Sequence, residues 1–263
     1  MSTLSYTLSD SATMLRRNLR HMLRYPSLTV MIIGLPVVFL LLFVYVFGGT
    51  LGAGLGGSAG GREEYATYVT PGILLITIAG VAQGTAISVA MDMTEGIVAR
   101  FRTMSIARVS VLTGHVVGSL IQTMVGLAVV TAIALLVGFR PTAGPIGWLA
   151  AAGLLAAVSF AVTWLTVALG MVSKSVESAS NLPQPLLLLP FLGSGFVPTD
   201  SMPTGLRWFA EYQPFTPVME TLRGLLVGGP IGSSATQALA WCAGITLLSY
   251  LWARKLYDRD PSR

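Results

Sequence analysis

Two glycine-rich motifs of the kinds that bind dinucleotides or present a nucleophile overlap in residues 52–60. Gly52, Gly54 and Gly57 form G-x-G-x-x-G, and Ser58 is the centre of G-x-S-x-G. The first motif works between a strand and a helix, and the second needs a strand–turn–helix context with a histidine partner. Both instead follow a long apolar segment, so we interpret residues 52–60 as a flexible glycine-rich loop.

The sequence shows no other recognisable catalytic or metal-binding set. It has no H-E-x-x-H and no G-x-x-x-x-G-K-[ST], and Cys242 is its single cysteine. A zinc or disulfide framework and an ATP-phosphate loop therefore have no visible residues. We interpret His21 and His115 as polar or interfacial residues. We expect no enzyme activity, no metal and no cofactor in this chain, so any Mg-ATP must be bound by another chain.

The composition is that of a membrane protein. Of 263 residues, 53% are hydrophobic and only 10% are charged, and the mean hydropathy is +0.73. A soluble domain carries about 25% charged residues. The net charge of +5 therefore matters through its position along the chain, and we expect no nucleic-acid partner.

Six apolar runs predict an all-α integral membrane protein, because about 20 apolar residues in a helix cross a bilayer. The fifth run is weak, since interior prolines remove backbone hydrogen bonds, and we expect a short or broken helix there. The predicted spans are 28–48, 66–90, 109–138, 145–172, 182–198 and 235–253.

Lysine and arginine predict the orientation. With six spans, 12 of the 16 basic residues lie on the side that holds both termini. Because basic loops stay inside, both termini are predicted to be cytoplasmic. We divide the chain into a cytoplasmic interfacial segment (1–27), a six-span domain (28–256) and a tail (257–263). Within the first segment, residues 8–25 form a basic amphipathic pattern typical of a helix in the membrane interface.

Residues 92–108, DMTEGIVARFRTMSIAR, form a charged island between apolar runs. Asp92 followed by Glu95 resembles a capping box, which predicts a helix starting near Met93. Met93, Ile97, Phe101 and Met104 would form one apolar stripe. Such a short amphipathic helix can rest in the lipid interface or dock on a cytoplasmic partner, and the residues alone leave both open.

Two segments give the chain a recognisable resemblance. EGIVARFRTMSIAR, continuing through VSVLTGH, resembles the cytoplasmic loop of type-2 ABC exporter permeases, in particular the daunorubicin-resistance drug-exporter group. FLGSGFVPTDSMPTGLRWFAEYQPFTPVMETLRGLLVGG, residues 191–229, resembles the segment between spans five and six of that group. Ser105 and His115 depart from it, standing where the group often has proline and arginine.

The resemblance implies that residues 92–108 are a coupling helix on an ATP-binding subunit. Two permease chains, identical or different, and two ATPase subunits would form one exporter in the bacterial cytoplasmic membrane, among its lipids. Its substrate would be a hydrophobic or amphiphilic small molecule. The coupling residues would be Glu95, Ile97, Arg100, Phe101, Arg102 and Met104.

The resemblance also implies short re-entrant helices near the outer surface within residues 199–228. The residues themselves agree, because Thr216 can cap a helix with Pro217 at its first position. Glu211, Glu220 and Arg223 would need partners at membrane depth. We take Glu211, Pro217, Glu220 and Arg223 as the candidate outer gate.

Polar side chains within or beside the spans are candidates for the substrate path, and each could equally form a helix–helix hydrogen bond. They are Gln83, Ser119, Gln122, Thr123, Asn181 and Gln184, with Thr85 beside them.

Three alternatives remain open at this point. One is a permease for lipid-linked glycan or polysaccharide export within the same family. The second is a secondary transporter outside it, which should carry buried acids or two related repeats of broken helices. The third is a non-transporting membrane subunit, such as a sensor or immunity protein.

Overall fold

The computed structural model describes residues 26–54, 61–94 and 108–257, and every regular element within these ranges is helical. A π-helical turn, Phe43–Phe47, joins the first two helices, and a 3₁₀ turn, Thr199–Ser201, precedes the eighth. The α-helices are α1 (Pro26–Leu42), α2 (Gly48–Ala53), α3 (Arg62–Thr94), α4 (Arg108–Val137), α5 (Pro145–Val172), α6 (Val176–Asn181), α7 (Gln184–Leu188), α8 (Thr204–Tyr212), α9 (Phe215–Val227) and α10 (Ser234–Tyr257).

Among the described residues, four helical segments are long and apolar enough to cross a membrane: Ile32–Ala53, Arg62–Thr94, Thr113–Val137 and Pro145–Val172. They coincide with the first four predicted spans. At 1.5 Å per residue, the 33 residues of α3 extend about 50 Å, well beyond a hydrocarbon core of about 30 Å. Helix α3 must therefore tilt or project beyond the bilayer.

Helix α3 is the centre of the bundle. Ile73, Leu74, Leu75 and Ile76 are consecutive and all buried. Four consecutive buried residues point in every direction around a helix, so α3 has neighbours on all sides. By contrast, α1 and α4 expose many large apolar side chains, as expected of helices that face lipid or another chain.

Hydrogen bonds and packing define two ends of the bundle. At what we call the Arg223 end, the α4–α5 connection meets α9, where the backbone N–H groups of Thr142 and Ala143 donate to the Leu226 carbonyl at 2.9 and 3.1 Å. At the opposite, His115 end, α3, α4, α5 and α10 contribute to one buried cluster that includes Val116 and Ala253. Successive long helices α3, α4 and α5 therefore run in alternating directions.

The fifth predicted span is not one continuous helix. Residues 182–198 contain only the short α7 followed by turns. Pro183, Pro185 and Pro190 fall in this stretch, and proline removes the N–H that a helix needs. The expected break is therefore present.

Helix α10 corresponds to the sixth predicted span. It has 24 residues, about 36 Å, so it is long enough to cross a bilayer. It is not among the four helical segments that meet both length and hydropathy, and the count of six spans stays a prediction.

Two expected helix starts are wrong. Asp92 does not cap a new helix, because α3 continues through it to Thr94. The ninth helix begins at Phe215, so Thr216 lies in its first turn and is not its cap. In both cases the side chain bonds to a distant segment, described below, and local sequence does not reveal that bond.

Candidate functional site

The predicted coupling residues, Glu95 to Met104, lie outside the described residues, as do the amphipathic segment 8–25 and the tail beyond 257. The structure describes the two helix ends that border the predicted coupling segment. Helix α3 leads into it at Thr94, and α4 begins after it at Arg108.

A buried ion pair joins these two helix ends. His115 Nε2 lies 3.0 Å from Asp92 Oδ2, and the two side chains are only 8% and 9% exposed. The interpretation of His115 as a polar residue is consistent with this position, but its partner was not predicted. Residues 23 positions apart in sequence meet here only because α3 and α4 pack side by side.

The ion pair lies next to an apolar cluster. Val89 is one helical turn before Asp92, and Val116 follows His115. Both valines are buried with Trp164 of α5 and Ala253 of α10. The apolar side chains of this cluster shield the contact from water, and a hydrogen bond is electrostatically stronger in such a site than in water.

Hydroxyl groups link three helices deeper in the bundle. Thr85 Oγ1 of α3 donates to Ser119 Oγ of α4 at 2.7 Å, and Ser119 Oγ lies 3.4 Å from Thr163 Oγ1 of α5. All three are buried. Thr123 donates instead to the Ser119 carbonyl within its own helix, at 2.8 Å. Thr85 and Ser119 thus form a hydrogen bond between helices, which contributes about 0.6 kcal/mol, and a place for Ser119 and Thr123 on the substrate path stays a prediction.

The other candidate path residues are scattered. Gln83 Nε2 of α3 donates to the Ser180 carbonyl of α6 at 2.6 Å. Gln122 is half-buried, and Asn181 and Gln184 are exposed. The structure does not bring these side chains together into one polar channel within the described part of the chain, and their role in transport stays a prediction.

Arg223 is the best-anchored of the candidate gate residues. Its guanidinium lies 4.0 Å from the centre of the Tyr68 ring, within the range of a cation–π contact. One Nη atom also donates to the carbonyls of Ser194, at 2.8 Å, and Tyr68, at 3.3 Å. Arg223 therefore ties α9 to α3 and to the turns after α7.

Gln213 and Thr216 extend this junction. Gln213 Nε2 donates to the Leu189 carbonyl at 2.9 Å and to Thr216 Oγ1 at 3.2 Å. Thr216 Oγ1 also accepts from the Ser194 backbone N–H, at 3.4 Å. Sequence reasoning missed Gln213, whose only signal is its place before Pro214, where the backbone is biased toward an extended conformation. These contacts hold the turns after α7 against α9.

Glu211 and Glu220, two further candidate gate residues, also have polar partners. Glu211 accepts from Arg207 at 2.7 Å, and Arg207 also pairs with Asp200 at 2.6 Å. The hydrogen bond to Glu211 and the charge of Asp200 raise the pKa of the Arg207 guanidinium. Glu220 accepts from Ser234 at 2.7 Å, which links α9 to α10.

Pro217, the fourth candidate gate residue, is buried in the first turn of α9, where a missing N–H costs nothing because the first helical N–H groups have no intrahelical acceptor.

An apolar groove lies between α5 and α10. Its volume is about 410 Å³, and its walls come from Phe160 on one helix and Leu239, Cys242, Leu247 and Tyr250 on the other. Such walls can hold hydrocarbon groups of a ligand, a lipid or a neighbouring chain.

Comparison with known proteins gives these features a family. Residues 11–227 match the protein family described as ABC-2 type transporter. The matched range includes α1 to α9, the predicted coupling segment and the Arg223 junction. The resemblance to type-2 ABC exporter permeases is thereby confirmed.

Two curated relatives refine the match. The chain is 29% identical over 221 residues to the daunorubicin resistance ABC transporter permease protein DrrB1 of Streptomyces coeruleorubidus, covering 84% of this chain and 76% of the relative. It is 28% identical over 166 residues to the probable doxorubicin resistance ABC transporter permease protein DrrC of Mycobacterium tuberculosis, covering 62% of this chain and 59% of the relative. The chain thus matches somewhat over half of the second relative's length.

Proposed function

Because the chain belongs to the ABC-2 type transporter family, we propose that it is the transmembrane permease subunit of an ATP-driven exporter in the bacterial cytoplasmic membrane. It moves a hydrophobic or amphiphilic small molecule outward, and it performs no covalent chemistry. The match over residues 11–227 is the observation that carries this proposal. The apolar character of the bundle supports an apolar substrate, since charged cargo would need charged sites.

In the proposed cycle, Mg-ATP binds to two partner ATPase subunits and closes them. The segment containing Glu95, Phe101 and Met104 rests on an ATPase subunit and passes the motion to α3 and α4. A second permease chain, identical or different, completes the path, and substrate leaves between the two chains. The junction around Arg223 then acts as the outer gate, with α8 and α9 as re-entrant helices. At 9 and 13 residues, these helices are too short to span a bilayer.

The names of the relatives favour a drug-like substrate over a lipid-linked glycan. Both relatives are named for resistance to an anthracycline drug. Daunorubicin is accordingly the first transport probe to use. A secondary transporter is disfavoured, since a member of this family works with an ATP-binding partner.

The test is copurification. The tagged chain is extracted gently from its native membrane, and the proteins that accompany it are identified by mass spectrometry. An ATP-binding subunit is expected with the natural chain and is expected to be lost with Glu95→Lys plus Phe101→Ala, which removes a charge and an aromatic contact from the coupling segment. Interface residues of this kind contribute about 2 kcal/mol or more each when they are central.

The matched control is Glu177→Lys, which reverses an acid in α6, at the same end of the bundle but far from the coupling segment in sequence. It should keep the ATPase subunit. Loss of the subunit in the control as well would mean that the effect is general, and absence of any ATPase with the natural chain would contradict the exporter function.

A further inference from the structure

The ion pair between Asp92 and His115 borders the segment proposed to contact the ATPase. We infer that this pair makes the adjoining ends of α3 and α4 move as one body, so that a push on the coupling segment reaches both helices together. Asp92 and His115 are then positioning residues for transport. The inference rests on the function proposed above and adds to it a device that transmits the motion.

Position is the first argument. Asp92 lies two residues before the end of α3 at Thr94, and His115 lies about two turns after the start of α4 at Arg108. Their 3.0 Å contact fixes the separation of the two helices next to the point where residues 95–107 connect them. A displacement of one helix end must therefore displace the other or break the pair.

Burial is the second argument. Both side chains are less than 10% exposed, and their neighbours Val89, Val116 and Ala253 are apolar. Breaking this contact removes a hydrogen bond between two buried polar groups, which is unfavourable in a site with apolar neighbours. A force on the coupling segment should therefore move the ends of α3 and α4 together and not separate them.

Helix packing alone does not require the contact between Asp92 and His115. Thr85 and Ser119 already join α3 to α4 by a 2.7 Å hydrogen bond, about two turns further into the bundle. Neutral hydroxyls suffice there. The buried contact between Asp92 and His115 adds a second constraint on the same interface, where the two helices border the coupling segment.

The experiment uses the complete transporter, with its copurified ATPase, in lipid nanodiscs. Hydrogen–deuterium exchange is measured for peptides covering residues 85–94 and 113–120, without nucleotide and after trapping with Mg-ATP and vanadate. The variants are His115→Gln, the reversed pair Asp92→His with His115→Asp, and Val116→Ala as the packing control. The control removes buried apolar atoms beside His115 and leaves both charges in place.

In the natural protein, trapping should change exchange in both peptides together. In His115→Gln the change in the 113–120 peptide should be lost while the ATPase stays bound. The reversed pair should restore it, and Val116→Ala should behave like the natural protein. A purely structural role would instead lower the nucleotide response in Val116→Ala as well.

Two results would overturn the inference. One is a nucleotide response in His115→Gln equal to that of the natural protein. The other is an equal loss in Val116→Ala and His115→Gln, which would assign the effect to packing. If no ATPase accompanies the natural chain, the proposed function fails first, and the positioning role falls with it; that outcome is visible before any variant is compared.

Discussion

Arg223 and Asp92 lie at opposite ends of the bundle, and each has a partner from another helix. Arg223 stacks on Tyr68 and bonds two carbonyls, and Asp92 pairs with His115. Charges in a membrane protein are expensive unless they are paired. At the residue scale, the stability of the chain therefore depends on a few polar contacts far apart in sequence.

Substitution of Arg223 should destabilise the protein more than substitution of an exposed arginine. Arg223→Met removes the ring contact and leaves the Ser194 carbonyl without its donor, so the free energy of unfolding should fall by about 2–3 kcal/mol. Thermal unfolding of the purified protein in detergent, followed by tryptophan fluorescence, measures the change.

Arg207→Met is the matched control. Arg207 makes two ion pairs, but they are solvent-exposed, and exposed pairs contribute little to stability. Equal losses in the two variants would show that the Tyr68 contact contributes little.

At the element scale, glycines set how closely the central helices approach. An added Cβ at Gly170 of α5 would lie 2.6 Å from the Ala86 carbonyl oxygen and 3.0 Å from Val89 Cβ, both in α3. A Cβ at Gly153 of the same helix would meet nothing within 4 Å. Alanine substitutions at these two positions therefore separate the effect of helix propensity on stability from the effect of helix packing.

Gly170→Ala should push α3 and α5 apart and cost about 1–3 kcal/mol of stability, as overpacking does. Gly153→Ala should be neutral or stabilising by up to about 1 kcal/mol, because alanine favours a helix over glycine. Heating followed by gel filtration of the remaining folded fraction compares the two. A loss at Gly153 as large as that at Gly170 would contradict the packing shown here.

At the scale of the whole molecule, the distribution of charge predicts how the chain is oriented in the membrane. The excess of lysine and arginine on the side of the termini predicts that this side is cytoplasmic. The His115 end, with Lys174, would then face the cytoplasm, and the Arg223 end, with α8, would face outward. This assignment gives the ATPase access to the coupling segment and places the gate on the far side.

Cysteine labelling tests this orientation. Cys242 is the single cysteine of the chain, so Cys242→Ser gives a background free of thiols. In intact cells a membrane-impermeant maleimide should label Gly205→Cys in α8 and leave Lys174→Cys unlabelled. Both should react after the membrane is permeabilised, which controls for exposure. Labelling of Lys174→Cys alone in intact cells would reverse the orientation.

Much of the fold could be predicted because the physics of a bilayer acts on short stretches of chain. Long apolar runs fixed the first four spans to within a few residues, since a helix must satisfy its own backbone in lipid. The prolines of 182–198 predicted the broken helix for a similarly local reason. The family could be recognised because the segments 92–108 and 191–229 carry distinctive residues.

Only the tertiary structure decided which polar groups meet. Asp92 has the spacing of a helix cap, but α3 continues through it to Thr94 and its side chain contacts His115 of the neighbouring helix. Thr216 likewise accepts from Gln213 and Ser194 rather than capping α9. The first four spans thus follow from apolar runs along the chain and the family from two distinctive segments, while the orientation stays a prediction from charge. The partners of polar side chains depend on helix packing, which brings distant residues within bonding distance.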